Sequence, residues 1–414
     1  MKRKSRQNIL LSALSFMLFL VLLPATALAT ESIDSETVLR DAIVNAAAGD
    51  TIEIDVTNDI TLTGAITIPA GVNVNLYSST GATITAAAAN RHFIVSAGAS
   101  LTLTDIILDG NYNNFGNALY NPNNFPYGGV NNSGTLTLNK GAVITNCYGA
   151  TYGGGVYNVE RSNGILNING GMISGNTAFY GGGVCADSNG FVNMTAGSIS
   201  GNYGTVEGGG IHSRYGQVII SGGEINNNGS WYGGGIWLSY YTSLTITGGE
   251  ICGNEATQQG GGIYHRAYQG NGCINTIENA LISGNSAGVF GGGICDLPHA
   301  GWTSNYSITI KNTVVTGNNG GNVYSAQELV CIEFEPRIMG VSASVEQLKG
   351  NKNNLTVTVC FLEYSEELDD FVTSECSETF SINNNAAGTY EVGGYTIYVD
   401  TKGNDQIRAC YVVK

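Results

Sequence analysis

Ile199-Ser200-Gly201-Asn202-Tyr203-Gly204-Thr205-Val206-Glu207-Gly208-Gly209-Gly210-Ile211 decides the fold, because both of its ends recur along the chain. Gly-Gly-Gly followed by Ile or Val starts at Gly153, Gly181, Gly208, Gly233, Gly260 and Gly291, with weaker copies at Gly128-Gly129-Val130 and Gly320-Gly321-Asn322-Val323. The aliphatic residues are Val130, Val156, Val184, Ile211, Ile236, Ile263, Ile294 and Val323, spaced by 26, 28, 27, 25, 27, 31 and 29. Ile-Ser-Gly-Asn precedes the glycines at Ile173–Asn176, Ile199–Asn202 and Ile282–Asn285. Variants stand at Ile225–Asn228, Ile251–Asn254, Val315–Asn318 and Leu108–Asn111, and Ile144–Cys147 puts Cys where Asn is expected.

Each unit also carries a short alternating strand, such as Leu136–Leu138, Ile165–Ile168, Val218–Ile220, Leu244–Ile246 or Ile308–Ile310. Period-two alternation marks half-buried strands. Three short strands in 25–31 residues make one coil of a right-handed parallel β-helix. At about 4.8 Å per coil, residues 50–325 give about ten coils and a rod roughly 45–50 Å long. The aliphatic ladder should fill the interior. The Asn ladder should bond side chain to side chain and to the turn backbone. Glycine should serve a sharp corner and a close approach of successive backbones. The Leu-x-x-Leu-x-Leu pattern of leucine-rich repeats is absent, and so is the every-third glycine of collagen.

The fold class is therefore all-β, a right-handed parallel β-helix with a short capping helix before it and a small β-sandwich after it. Residues 1–29 read as a signal peptide: a basic head, an apolar run Ile9–Leu23 and the small-residue site Ala27-Leu28-Ala29. Residues 30–49 read as the cap, with a helix Glu36–Ala48 that Ser35 starts and Gly49 ends. Residues 50–327 are the β-helix, from which Asn111–Pro126 protrudes as a loop. Residues 328–414 are a β-sandwich of immunoglobulin-like size, with Gly393-Gly394 as a hairpin turn.

Composition narrows the function. The net charge is −15, and loss of residues 1–29, which hold four basic and no acidic residues, takes it to −19. That argues against nucleic acid and anionic lipid as partners. No further stretch is apolar enough to span a membrane, so the expected location is secreted or at a cell surface. Gly supplies 59 residues, yet 43% of the chain is hydrophobic and recurs regularly, which favours ordered repetition over disorder. Nine cysteines leave at least one thiol unpaired within the chain, and none has Cys-x-x-Cys spacing, which argues against zinc. Cys360, Cys376 and Cys410 are candidates for one disulfide of unassigned pairing.

The Gly-Gly-Gly-Ile of Gly208–Ile211 and the Ile-x-x-Asn of Ile199–Asn202 resemble the repeat of polymorphic outer-membrane proteins, with its Gly-Gly-Ala-aliphatic and Phe-x-x-Asn motifs. The resemblance covers roughly residues 100–325. It implies a pectate-lyase-like β-helix and a surface or adhesin role. Here Ile or Val replaces the family's Phe and Gly replaces its Ala. About 90 residues follow the repeats, too few for an autotransporter barrel, and no Leu-Pro-x-Thr-Gly sorting signal is present.

Aligning the coils gives the site candidates. The residue after each aliphatic one should point outward: Asn131, Tyr157, Cys185, His212, Trp237, Tyr264, Cys295 and Tyr324. Tyr157, His212, Trp237 and Tyr264 form an aromatic row suited to stacking on sugar rings, with Tyr152, Tyr180, Tyr232 and Phe290 as a parallel stripe. Aromatic ladders also stabilise stacked strands without any ligand. Neighbouring Asp187 and Arg214 read as a surface ion pair of little worth. The first functional expectation is a non-enzymatic, adhesin-like binder of glycans or cell-surface partners that needs no cofactor. The second is a polysaccharide lyase or glycoside hydrolase using His265, Arg266 and Asp296, the one reading under which Ca²⁺ would enter. The third is a structural rod.

Overall fold

The computed structural model describes residues 31–87, 90–112, 128–267, 275–298 and 308–325, and six strands between 337 and 412. The signal-peptide reading of 1–29 and nearly all of the Asn111–Pro126 loop lie outside the described residues.

The body is a parallel β-solenoid of about ten coils. Ten parallel strands make one wall: Ile66–Ile68, Phe93–Val95, Val130–Asn132, Val156–Asn158, Val184–Asp187, Ile211–Arg214, Ile236–Tyr240, Ile263–Ala267, Ile294–Pro298 and Val323–Ser325. The expected aliphatic ladder is its register. Val130 pairs with Val156, and the line continues through Val184, Ile211, Ile236, Ile263 and Ile294 to Val323. It also extends back to Phe93 and Ile66, in coils that lack the glycine run.

A 19-stranded parallel sheet forms the other walls as two runs, one through Thr51–Val56 and Asn73–Tyr77, the other through Ile60–Leu62 and Thr83–Ala86. The runs merge where Ile165–Ser174 and Phe191–Ser200 continue from one into the other. A five-stranded sheet, Thr177–Tyr180, Tyr203–Glu207, Gly229–Tyr232, Glu255–Gln259 and Ser286–Ala287, leads into the glycine runs. Strands alternate buried and accessible residues, as in Thr51–Val56 and Ser100–Thr104, so one apolar column runs from Ile33 to Val315. Each fully buried Ile or Leu in it contributes about 1.5–3 kcal/mol.

The Asn ladder runs inside the turns through Asn176, Asn202, Asn228, Asn254, Asn285 and Asn318. Asn228 shows the pattern. Its Nδ2 donates to Asn254 Oδ1 and to the Ile199 carbonyl, while its Oδ1 accepts the backbone N–H and the side-chain Nδ2 of Asn202. The side chain is fully satisfied and almost fully buried. Cys147, which replaces Asn, donates its backbone N–H to Asn176 Oδ1 and adds no further rung.

The glycines have separate physical reasons. The first of each run has φ between +53° and +70° and turns the corner. The third clears space for the ladder. A Cβ on Gly210 would stand 2.6 Å from the Gly235 carbonyl oxygen and 3.1 Å from Asn228 Nδ2.

The helix spans Glu36–Val44, not Glu36–Ala48. Asn45 closes it, its N–H bonding back to the Asp41 carbonyl, while Ala46 N–H bonds to the Ile43 carbonyl and Ala47 N–H turns to Asp50 Oδ2. Ser35 makes no side-chain cap bond. Leu39 and Ile43 are buried in the column, and Arg40 donates to the Gly64 and Ala65 carbonyls, so the helix is fastened to the first corner. After the solenoid come two three-stranded antiparallel sheets, Arg337–Gln347 with Asn353–Ser365 and Asp370–Ile382, and Gly388–Val392 with Tyr395–Lys402 and Gln406–Val412. Val392 pairs with Tyr395, and the hairpin turn expected at Gly393-Gly394 lies outside the described residues. The side chains of Cys360, Cys376 and Cys410 lie outside what is described.

Candidate functional site

The residue after each aliphatic one does leave the interior, as alternation requires. Trp237, Tyr264 and Cys295 form an apolar cluster separate from the central column, joined by Tyr232, Phe290 and Leu297. They are nevertheless buried. Cys185 is 0% exposed, His212 2%, Trp237 3% and Tyr264 7%. The expected exposed aromatic row is thus the floor of a concave corner. The cause is the glycine turn, which lays its first glycine directly over the residue four positions on. A Cβ on Gly260 would lie 2.5 Å from Tyr264 Cβ. Tyr157 is half-buried and stacks on Tyr152 at 5.3 Å, and the face of Trp237 is covered by His212 at 4.5 Å and 3°.

The residues that stand up beside this floor are the ones before the glycines. In register they read Tyr152, Tyr180, Glu207, Tyr232, Gln259 and Phe290. The aromatic stripe expected there is interrupted by Glu207 and Gln259, which only a complete reading of that ladder would have singled out. The side chains three after each aliphatic residue form the opposite bank. Together the two banks enclose a cleft of about 180 Å³ lined by Tyr152, Tyr180, Glu207, His212, Arg214, Trp237, Ser239, Tyr240 and Arg266.

His212 is the centre of the polar chemistry. Its Nδ1 lies 3.6 Å from Cys185 Sγ and 3.3 Å from Asp187 Oδ1, and its Nε2 lies 3.3 Å from Glu207 Oε2. Arg214 Nη2 donates to Asp187 Oδ2 at 3.1 Å. Asp187 is 1% exposed, so the Asp187–Arg214 pair is not the surface contact expected from sequence. Burial alone would lower the His212 pKa, but Cys185, Asp187 and Glu207 around the ring more than offset it and hold the pKa well above the usual imidazole range. Burial pushes the Cys185 thiol up to about 11. Cys147, Cys185, Cys252 and Cys295 are all free thiols.

His265, Arg266 and Asp296 do not share a surface. His265 Nδ1 meets Asp296 Oδ1 at 2.7 Å, Asn275 Nδ2 approaches His265 Nε2 at 3.2 Å, and Asp296 Oδ2 accepts the Ile308 N–H. His265 and Asp296 are 2% and 4% exposed and sit two residues after the aliphatic ladder, hence inside the coil. Arg266 alternates to the outer face and lines the cleft. The proposed catalytic trio is therefore an interior network plus a separate outer cation, because adjacent residues of a strand face opposite ways. At the other end of the outer corner Arg91 is buried, donating to the carbonyls of Gly128, Tyr152 and Gly154.

No described helix is long and apolar enough to cross a membrane. No protein-family model, curated protein or solved structure matches the chain.

Proposed function

We propose that the chain is an exported, surface-associated glycan-binding protein whose cleft holds one sugar ring of a longer saccharide. The observation that carries this reading is the cleft itself: aromatic Tyr152, Tyr180 and Tyr240 stand around the guanidinium groups of Arg214 and Arg266 and the carboxylate of Glu207. Aromatic edges and faces meet the apolar side of a sugar, and fixed charges orient its hydroxyl and carboxylate groups. At about 180 Å³ the cleft is smaller than the roughly 300–1,000 Å³ of sites for drug-sized ligands, which suits a single ring. The two arginines favour a carboxylate-bearing sugar. The adhesin role implied by the polymorphic outer-membrane protein resemblance agrees with this reading.

The test is calorimetric titration of the full chain with neutral and carboxylate-bearing oligosaccharides. A member of the carboxylate set should bind. Tyr180→Ala and Arg266→Ala should each weaken it at least tenfold, about 1.4 kcal/mol. Tyr203→Ala, an exposed aromatic outside the cleft, should not change it. Absence of binding to every saccharide, or binding indifferent to Tyr180 and Arg266, would overturn the proposal and leave the rod reading.

A further inference from the structure

Beneath the cleft lies a second constellation, which shares His212 with the cleft lining and adds the buried Cys185 and Asp187. Cys185 Sγ, Asp187 Oδ1 and His212 Nδ1 lie within 4.8 Å of one another, and all three residues are buried; among the described residues no other such group of three is found. Asp187 Oδ1 is buried without an aligned hydrogen bond, and the His212 ring faces it as an ion-pair partner, Nδ1 at 3.3 Å. A buried carboxylate oxygen so loosely bonded, facing a thiol and an imidazole nitrogen, is costly unless a proton or a cation is shared among them.

Two of the three separations match those that a shared metal ion would set. In a tetrahedral zinc site, metal bonds of about 2.3 Å to sulfur, 2.0–2.1 Å to nitrogen and 2.0–2.2 Å to oxygen set the ligand-to-ligand edges by trigonometry. The sulfur–nitrogen edge is then about 3.6 Å and the nitrogen–oxygen edge about 3.3–3.5 Å. The observed separations are 3.6 Å for Cys185 Sγ to His212 Nδ1 and 3.3 Å for His212 Nδ1 to Asp187 Oδ1. The supporting shell has the form such a site requires. His212 turns its other nitrogen to the Glu207 carboxylate, which fixes the ring and its tautomer. Arg214 holds the second oxygen of Asp187, so that Oδ1 is the one presented. Trp237 lies flat against the imidazole and blocks its rotation.

We propose that Cys185, Asp187 and His212 bind a tetrahedral transition-metal ion of the zinc class. The ligands come from two adjacent strands. Cys185 and Asp187 lie two apart and so share a face, and Cys185 is directly paired with His212 on the next coil. The site therefore needs no Cys-x-x-Cys spacing, since a coil of about 27 residues brings the third ligand into place. Glu207 and Arg214 are positioning residues. Three protein ligands leave the fourth position to a water or an incoming group. Binding must displace the thiol proton of Cys185 and any proton on His212 Nδ1.

The test is a titration of the chelator-stripped full chain, under reductant, with cobalt(II) chloride, a spectroscopic stand-in for zinc. The expected result is one cobalt per chain, with a thiolate-to-cobalt charge-transfer band, visible bands of tetrahedral intensity, and loss of both on adding zinc chloride. Cys185→Ser should abolish the charge-transfer band, while Cys252→Ser and Cys295→Ser should retain it. Glu207→Ala should weaken zinc binding 10- to 100-fold. A folded wild-type chain without the thiolate band at saturating cobalt would overturn the proposal whatever the variants do. So would a band that survives in Cys185→Ser. Neither readout involves a saccharide, so this proposal and the glycan-binding one fail separately.

Discussion

The Asn ladder inside the turns and the ladder on the floor of the outer corner run side by side through the same coils, and they differ in kind. The inner one repeats a single residue, Asn176 through Asn318, each rung bonded to the next. The outer one changes at every coil: Tyr157, Cys185, His212, Trp237, Tyr264, Cys295. From Cys185 to Cys295 the outer ladder is buried as the inner one is, so burial does not explain the difference. Where the position must close backbone hydrogen bonds, one side chain does it best and recurs. Where the backbone is already satisfied, the fold permits any side chain of suitable volume, and chemistry accumulates there. In a solenoid, a buried ladder that varies is thus a better guide to a site than one that repeats.

The largest effect should come from breaking the inner ladder. Asn228→Ala removes both donors and the doubly accepting oxygen, leaving the Asn202 N–H, one Asn202 Nδ2 hydrogen and the Ile199 carbonyl without these partners inside the turn, while Asn254 Oδ1 keeps the Asn228 N–H. At about 1–3 kcal/mol for each group left unpaired, urea denaturation should record a loss of about 4 kcal/mol or more. A loss below about 1 kcal/mol would mean that the ladder is ornament rather than support.

A smaller effect sharpens the comparison at a coil that lacks an Asn rung. His92 donates its backbone N–H to the carbonyl of Gly129, the last glycine before Val130, and does the ladder's work with a titratable ring. Its Nδ1 accepts the Gly129 N–H and its Nε2 meets the Asp109 carbonyl. Burial holds its pKa down at about 4, against 6.5 when free. A depressed folded pKa means the stabilisation is complete above about pH 6.5 and is lost as pH falls through 4. The shift corresponds to about 3 kcal/mol. Urea midpoints at pH 7 and 4.5 should differ far more in the wild type than in His92→Gln. Equal pH dependence in the two proteins would remove His92 from this role.

The smallest effect belongs to the outer face. Ser239 lines the cleft with its buried hydroxyl unpaired. Ser239→Ala should change stability by less than about 0.5 kcal/mol, with a gain as the permitted direction, since no satisfied bond is lost. A clear loss in thermal or urea unfolding would show that the outer polar groups are coupled as tightly as the inner ones.

Sequence by itself determined the coil. The spacing of Val130 through Val323 is the observed register, because parallel stacking forces equivalent residues into line. The Asn bonds and the alternation of inner and outer side chains were legible for the same reason. The end of the helix at Val44 was not, since it depends on local hydrogen bonds of Asn45 and Asp50 that several residues there could have made. Tertiary structure alone decided that the outer corner is concave. That turn angle, set by glycines at positive φ, buries Trp237 and Tyr264, lifts Tyr180 and Glu207 into a rim, and closes Glu207 onto His212. It also separated Arg266 from His265 and Asp296, which adjacency in sequence had joined. A ladder alignment records which residues are neighbours along the stack. Contacts across a corner depend on the angle between two sheets, which repeat spacing does not contain.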